Sequence, residues 1–381
     1  FPVKYYYFLP LAFVASIFLV KKFAPDAKGH GTEKVIETIH KKNGKMNIGV
    51  APVKLLATVI TIVFGGSAGK EGPSAQIGAT VTSFLADIVK IKEEDRKKMV
   101  ICGISAGFGA VFGTTIAGAI FAVEVMYIGL IMYDVLLPSF ISSAVAFETA
   151  KRLGLKYHTY QIDYSFLKEF DIKIFIFTII AGVVFAITSF ILIEALKYTE
   201  NISEKIKWSK YTKGVLSGII LIIVAVLFSD RYLGLGSDTI SYLISGGTIN
   251  WYAPILKIFT TVMTLSFGGS GGIITPIFFI GTTIGNVLGN LFGSNAAFFS
   301  AIGLVGVLAG SANTPIAASI MAMELFGVEI TPYATLACII SFLLTGHRSV
   351  YPTQILATKK SQSLLVKLGI EVKDVEVEGI S

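Results

Sequence analysis

Between Ile258 and Met323 the chain runs for 66 residues without one Asp, Glu, Lys, Arg or His. A helix needs about 20 mostly apolar residues to cross the hydrocarbon core of a bilayer, so this stretch alone is long enough to cross more than twice. Only 15% of the 381 residues are charged and 53% are hydrophobic, against about 25% charged in soluble domains. So few charges cannot cover a water-facing surface, which excludes the two or three soluble domains that length alone suggests. The 38 glycines spread through the apolar segments as well as the turns. An outer-membrane barrel would instead show alternating strands of about 10 residues. The fold class is therefore an all-α polytopic membrane protein. The net charge of +7 is first a topology signal and gives little reason to expect a nucleic-acid partner. Cys102 and Cys338 sit in apolar runs and read as packed thiols. The sequence opens at Phe1 without Met or a cleavable signal peptide, and reads as lacking an N-terminal piece.

Apolar segments fall roughly at 5–20, 50–66, 73–89, 99–133, 135–148, 174–196, 214–229, 254–267, 276–292, 297–328 and 331–346. Many are shorter than a full crossing, and Gly-rich turns at 65–69 and 268–272 interrupt them. Irregular backbone at membrane depth is tolerated only where protein buries it or it lines a wet cavity. Broken helices of this kind point to a transport site. The run at 198–213 reads as a solvated cytoplasmic segment linking two halves.

Those halves are related by duplication. Gly65–Val81 aligns without gaps on Gly268–Ile284 at an offset of 203, with 8 of 17 positions identical. Thr114–Glu124 aligns on Thr314–Glu324 at an offset of 200, with 6 of 11 identical. Gly29-His30-Gly31-Thr32-Glu33 echoes Gly234-Leu235-Gly236-Ser237-Asp238 at an offset of 205. Three matches in one order at nearly one offset are hard to obtain by chance. The segment 90–98 carries five Lys or Arg, while its counterpart at 285–300 carries none. Lys and Arg favour cytoplasmic loops, so the two loops lie on opposite sides and the repeat is inverted. The chain reads as one transmembrane transport domain over 1–381. Its first repeat half spans 1–150, its second spans 174–346, and 347–381 is a short C-terminal cytoplasmic tail.

A helix N-terminus offers unpaired N–H groups and partial positive charge, a ready anion site. Gly69-Lys70-Glu71-Gly72-Pro73 opens one apolar helix, Gly272-Ile273-Ile274-Thr275-Pro276 opens another, and Gly29-His30-Gly31-Thr32 opens a short polar one. Converging at the midplane, the three would cradle a small dehydrated anion. The membrane-embedded carboxylates read as Glu71, Glu124, Glu148 and Glu324. Glu71 sits inside the cradle. It is either a plug or a proton-dependent gate, or else a plain capping carboxylate. Glu124 and Glu324 end equivalent helices, which favours a structural role as polar helix ends.

These residues resemble the CLC family of chloride channels and chloride/proton antiporters, along nearly the whole chain from about 5 to 365. Gly69–Pro73 matches the family's G-[KR]-E-G-P signature, Gly272–Pro276 occupies its G-x-F-x-P signature, and Gly29–Glu33 its G-S-G-x-P signature. Tyr351 falls at the family's inner tyrosine. The resemblance implies a homodimer with one anion pathway per subunit, in a prokaryotic cell membrane, without a C-terminal regulatory domain or cofactor. Glu71 would be the gating glutamate. His30, Gly31, Lys70, Gly72, Ile273, Ile274 and Tyr351 would surround the transported chloride. Three departures matter. His30 stands for a serine, Ile274 for a phenylalanine, and Val125 for the internal proton-handling glutamate of the exchangers. Valine carries no proton, so the expected function is passive, channel-like transport of chloride or a similar small anion. Chloride/proton antiport by a non-standard internal path, with Glu124 as a possible auxiliary acid, is the alternative. An interface near 107–124 and 314–327 is expected, where Gly113, Ala117, Gly118, Ala317 and Ala318 permit close helix approach.

Other classes fit less well. Gly65–Gly69 and Gly103–Gly107 both match G-x-S-x-G, but that pattern names a hydrolase only on a strand–turn–helix with a histidine base. His30, His40, His158 and His347 all lie in polar segments. Metal ligation by His30 and His40 is a weaker reading than a solvated helix face. Gly69-Lys70 is not a P-loop, since Glu71 stands where Ser or Thr is required. A cation-coupled organic-solute transporter is the rival outside the family.

Overall fold

The computed structural model describes residues 4–157, 160–167, 171–361 and 366–375, so His158 lies outside the described residues. The first half holds α1 (Leu9–Phe23), α2 (Thr32–Lys41), α3 (Val50–Val63), α4 (Glu71–Ile88), α5 (Glu93–Phe112), α6 (Thr115–Glu124) and α7 (Tyr133–Arg152). A 34-residue helix, α8 (Ile172–Lys205), follows. The second half holds α9 (Lys210–Leu227), α10 (Ser237–Ile244), α11 (Ala253–Phe267), α12 (Ile274–Leu291), α13 (Ala296–Ala312), α14 (Pro315–Phe326) and α15 (Thr331–Leu344). In order and offset, α1 to α7 repeat as α9 to α15.

Length and burial explain one another. Tyr5–Phe23, α8, α9 and α12 are long and apolar enough to cross a membrane, and the remaining apolar helices have 10–17 residues. Short helices must have their ends covered by protein. α13 is accordingly buried over its whole length from Phe298 to Ala312. α8 rises about 50 Å at about 1.5 Å per residue, longer than the roughly 30 Å hydrocarbon core. Its exposed residues Ile172, Ile176, Ile180, Val183, Ile187 and Ile191 recur at helical spacing, a stripe facing lipid.

Close crossings are made by glycine at repeat-related positions. A Cβ on Gly78 would run into the Gly103 carbonyl between α4 and α5, and one on Gly281 into the Gly303 carbonyl between α12 and α13. The two halves also meet reciprocally. Ser67 N–H donates to Thr264 Oγ1 at 3.0 Å and Ser270 N–H to Thr61 Oγ1 at 2.9 Å. Gly69 N–H donates to the Gly272 carbonyl and Gly272 N–H to the Gly69 carbonyl, both at 2.7 Å in an antiparallel bridge. Equivalent residues exchanging equivalent bonds is what a local two-fold relation produces.

Several expectations are corrected. The apolar run 99–133 is two helices, because Gly113 takes a left-handed φ of 75° and ends α5. The run 297–328 breaks likewise at Asn313, with φ 58°. The link at 198–213 is largely helical, since α8 persists to Lys205 and α9 begins at Lys210. Glu148 points outward from α7, where its side chain is 51% exposed and pairs with Arg152 at 3.1 Å. Ala117, Gly118, Ala317 and Ala318 are buried inside the chain and cannot line an interface between copies. The outward residues there are Ile116 and Ile316. The tail folds back. β2 (Ile355–Leu356) pairs in parallel with β1 (Tyr127–Ile128), and Glu371 bridges back to Ile355.

Candidate anion pathway at three helix N-termini

Three helices begin at one place. Gly31 has a φ of +84°, and a Cβ there would meet the Gly72 carbonyl. A Cβ on Gly72 would strike the His30 carbonyl, and one on Gly272 would strike the Gly72 nitrogen. The N-termini of α2, α4 and α12 therefore touch backbone to backbone, and only glycine permits that approach. Ile273 and Ile274 supply the N-cap and first turn of α12 and are fully buried. Tyr351 is buried, with its hydroxyl facing Thr32 and within electrostatic reach of Glu71 and Glu33.

Glu71 is fully buried at the first position of α4. Its carboxylate does not cap its own helix alone. Thr275 donates to it from the hydroxyl, and from the backbone N–H at 3.3 Å. The negative side chain of one repeat thus occupies the positive helix end of the other, the seat an anion would take. Lys70, expected among the anion-binding side chains, is exposed, and only its backbone takes part in the start of α4.

His30 is buried, and a carboxylate lies beyond each ring nitrogen. Glu33 Oε2 is 3.8 Å from Nδ1 and Glu200 Oε1 is 3.7 Å from Nε2. Among the described residues, Nδ1 has no hydrogen-bond partner. His40, weighed as a co-ligand, instead bonds the Met126 carbonyl at 3.2 Å. Val125 is buried among apolar side chains at the end of α6. Neighbouring Glu124 accepts from Ile316 N–H at 3.0 Å and Ala317 N–H at 2.8 Å.

Two residues escaped the sequence reading. Lys54 and Lys257 are fully buried in α3 and α11. Lys54 Nζ donates to the carbonyls of Ala27 at 3.1 Å and Gly29 at 2.6 Å. Lys257 Nζ donates to those of Tyr232 at 3.3 Å and Gly234 at 2.8 Å. Each lysine therefore holds the loop that starts α2 or α10, and among the described residues its hydrogen-bond partners are carbonyl oxygens. The signal was present: 54 and 257 differ by the same 203 residues as the glycine motifs.

Comparison with known proteins gives a consistent result. A family model described as voltage gated chloride channel matches residues 12–346. A protein of Pseudomonas syringae pv. tomato named chloride/fluoride channel protein is 35% identical over 335 residues, covering 85% of this chain and 73% of that one. The crystal structure of a CLC-type fluoride/proton antiporter superposes with a TM-score of 0.86 at 29% identity, covering 91% of this chain and 87% of that one. A slow cyanobacterial Cl−/H+ antiporter shares the fold, with a TM-score of 0.76 at 19% identity over 90% of this chain and 83% of that one.

Proposed function

The chain belongs to the voltage-gated chloride channel family, whose members transport anions, and from that premise we propose that it moves small halides across the membrane in exchange for protons. The observation that carries this reading is the seat of Glu71 on the N-terminus of α12. A halide entering that seat must displace the carboxylate. Protonation removes the charge that holds the side chain there, so proton uptake by Glu71 and halide entry into the seat are linked. Ile273, Ile274, Gly31, Gly72, His30 and Tyr351 form the wall of the cradle. Chloride is the cargo expected from the residues, and the names of the relatives support adding fluoride. The functional unit is a homodimer with a pathway in each subunit, meeting through the apolar face that carries Ile116 and Ile316. Cross-linking in mild detergent that yields only monomer would count against that assembly.

A second reading, uncoupled conduction, is favoured by Val125, which offers no proton site, and by Glu124, whose oxygens are committed to α14. Reversal potentials in a bilayer under combined halide and proton gradients separate the two. Exchange displaces the zero-current potential when the pH difference changes. Conduction leaves it at the halide equilibrium potential at every pH difference.

A further inference from the structure

We infer that His30, set between Glu33 and Glu200, is the inward-facing proton station of the exchange cycle, a role Val125 cannot fill. The inference rests on the exchange reading above. The arrangement has the form of a relay. The two carboxylates face opposite ring nitrogens, whereas a chelated cation would need its ligands on one side. Neither separation is short enough for a direct hydrogen bond, which runs to about 3.2 Å. Nδ1 is buried without a partner among the described residues, a state that costs free energy unless a water or a transferable proton uses the site.

The surroundings give the relay a direction. The Glu200 side chain is 45% exposed near the C-terminal end of α8, whereas that of His30 is 3% exposed. The adjoining stretch contains Lys205, Lys207, Lys210 and Lys213, the composition of a cytoplasmic loop. Glu33, on the far side of the ring, shares the neighbourhood of Tyr351, which in turn faces Glu71. The groups that act on His30 are Glu33 from α2, Glu200 from α8, Lys54 from α3 and the backbone of Val350 in the loop before Tyr351. Lys28 and Glu204 act on Glu200, and Lys28, Lys34, Glu37 and Lys373 on Glu33. Lys54 also grips the Gly29 carbonyl next to the histidine, which fixes the ring's backbone relative to the cradle.

The transfer balances without any change of oxidation state. A proton from the inner solution is taken up by the Glu200 carboxylate. Its O–H bond breaks as Nε2–H forms on the imidazole. The imidazolium then releases its Nδ1 proton to Glu33, and water entering beside Tyr351 carries a proton on from Glu33 to Glu71, both of which lie within electrostatic reach of that tyrosine. The ring, left as the Nε2–H tautomer, returns to the Nδ1–H form by giving up the Nε2 proton and taking one at Nδ1 through exchange with water. No acid at position 125 is needed.

The test uses the full chain in liposomes, with halide and pH electrodes recording the same efflux. In Glu200→Gln and Glu33→Gln, protons taken up per halide released should fall at least fivefold while halide efflux stays within about twofold of the parent. Glu200→Asp should recover part of the coupling, which a merely structural role would not predict. A parent that couples, with Gln variants at the parent's ratio, overturns the relay alone. Halide efflux without proton uptake in the parent removes both exchange and relay. No halide efflux in the parent overturns the transport reading itself.

Discussion

Glu124 and Glu324 each cap the helix that carries the other. Glu124, the last residue of α6, accepts from Ile316 and Ala317 N–H at the start of α14, at 3.0 and 2.8 Å. Glu324, near the end of α14, accepts from Ile116 and Ala117 N–H at the start of α6, at 2.9 and 2.8 Å. Two antiparallel helices of opposite repeats thus satisfy each other's orphan donors, and the dipoles of both favour the pairing.

Removing either carboxylate leaves two N–H groups unpaired away from water, at roughly 1–3 kcal/mol each. Glu124→Ala should therefore lower the apparent melting temperature in mild detergent more than Glu324→Ala, because Glu124 is buried and Glu324 only half-buried. The caps sit at opposite ends of the pair, so the double variant should show a nearly additive loss. A Glu124→Ala protein as stable as the parent, with altered proton coupling, would return Glu124 to the proton path.

Glu71→Gln keeps the side chain's size and removes its charge. The neutral amide holds the α12 N-terminus less strongly than a carboxylate. Halide efflux from liposomes should rise and lose most of its pH dependence. An unchanged rate and pH profile would leave Glu71 as a plain helix cap.

The meeting of three helix N-termini was legible in the sequence because three backbones can meet at one point only through Gly and Pro at fixed positions, and Gly31, Gly72 and Gly272 carry that signature. The inverted repeat was legible from spacing and from the five basic residues at 90–98. Other features depend on packing that a linear pattern does not encode. Glu200 lies 170 positions from His30, and only the descent of α8 brings them together. Small residues such as Ala117 and Gly118 mark a close approach without saying which partner approaches, and here it is the chain's own helices. The lysine pair lay between these cases. Extending the repeat backward would have aligned Lys54, Thr58 and Thr61 on Lys257, Thr261 and Thr264.

Lys54→Met should weaken halide binding. Lys54 brings a buried positive charge next to the loop that carries His30. A unit charge close to an anion, in surroundings of effective dielectric constant about 20, is worth on the order of 1–2 kcal/mol. Halide affinity by titration calorimetry should fall about tenfold or more. Unaltered affinity in a folded variant would mean that Lys54 only ties down the α2 loop.

The tail should detach in acid. Glu371 is paired with Lys41 on α2 at 2.8 Å and with Lys373 at 2.5 Å. Burial alone would push its carboxyl up, but hydrogen bonds from Lys373 and Lys41 outweigh that and hold it below the ordinary range. A carboxylate lowered on folding stabilises above its unfolded pKa of about 4.3, and that contribution fades as pH falls through the folded value. Cleavage of the tail by an acid-active protease should increase steeply in that window. Glu371→Gln should cleave readily at every pH, and a parent tail cleaved equally at about pH 2 and about pH 5 would show that this cluster does not anchor it.

His30→Ser tests whether one residue serves both the anion and the proton. His30 stands at the start of α2 with its backbone carbonyl against Gly72, so replacing its imidazole with a small hydroxyl changes the donors available beside the cradle. Fluoride is small and holds its water tightly, and only close, strong donors can compensate its dehydration, whereas chloride tolerates a looser site. The substitution should therefore shift the ratio of fluoride to chloride flux toward chloride. It also removes both ring nitrogens from between Glu33 and Glu200, and a single serine oxygen cannot reach both carboxylates. Coupling should fall along with selectivity, where Glu200→Gln lowers coupling alone. Selectivity and proton uptake can be read in the same liposomes, with fluoride-selective, chloride-selective and pH electrodes. A His30→Ser protein with the parent's fluoride-to-chloride ratio would place the ring outside the anion's reach. One that also kept the parent's proton ratio would show that neither ion uses it.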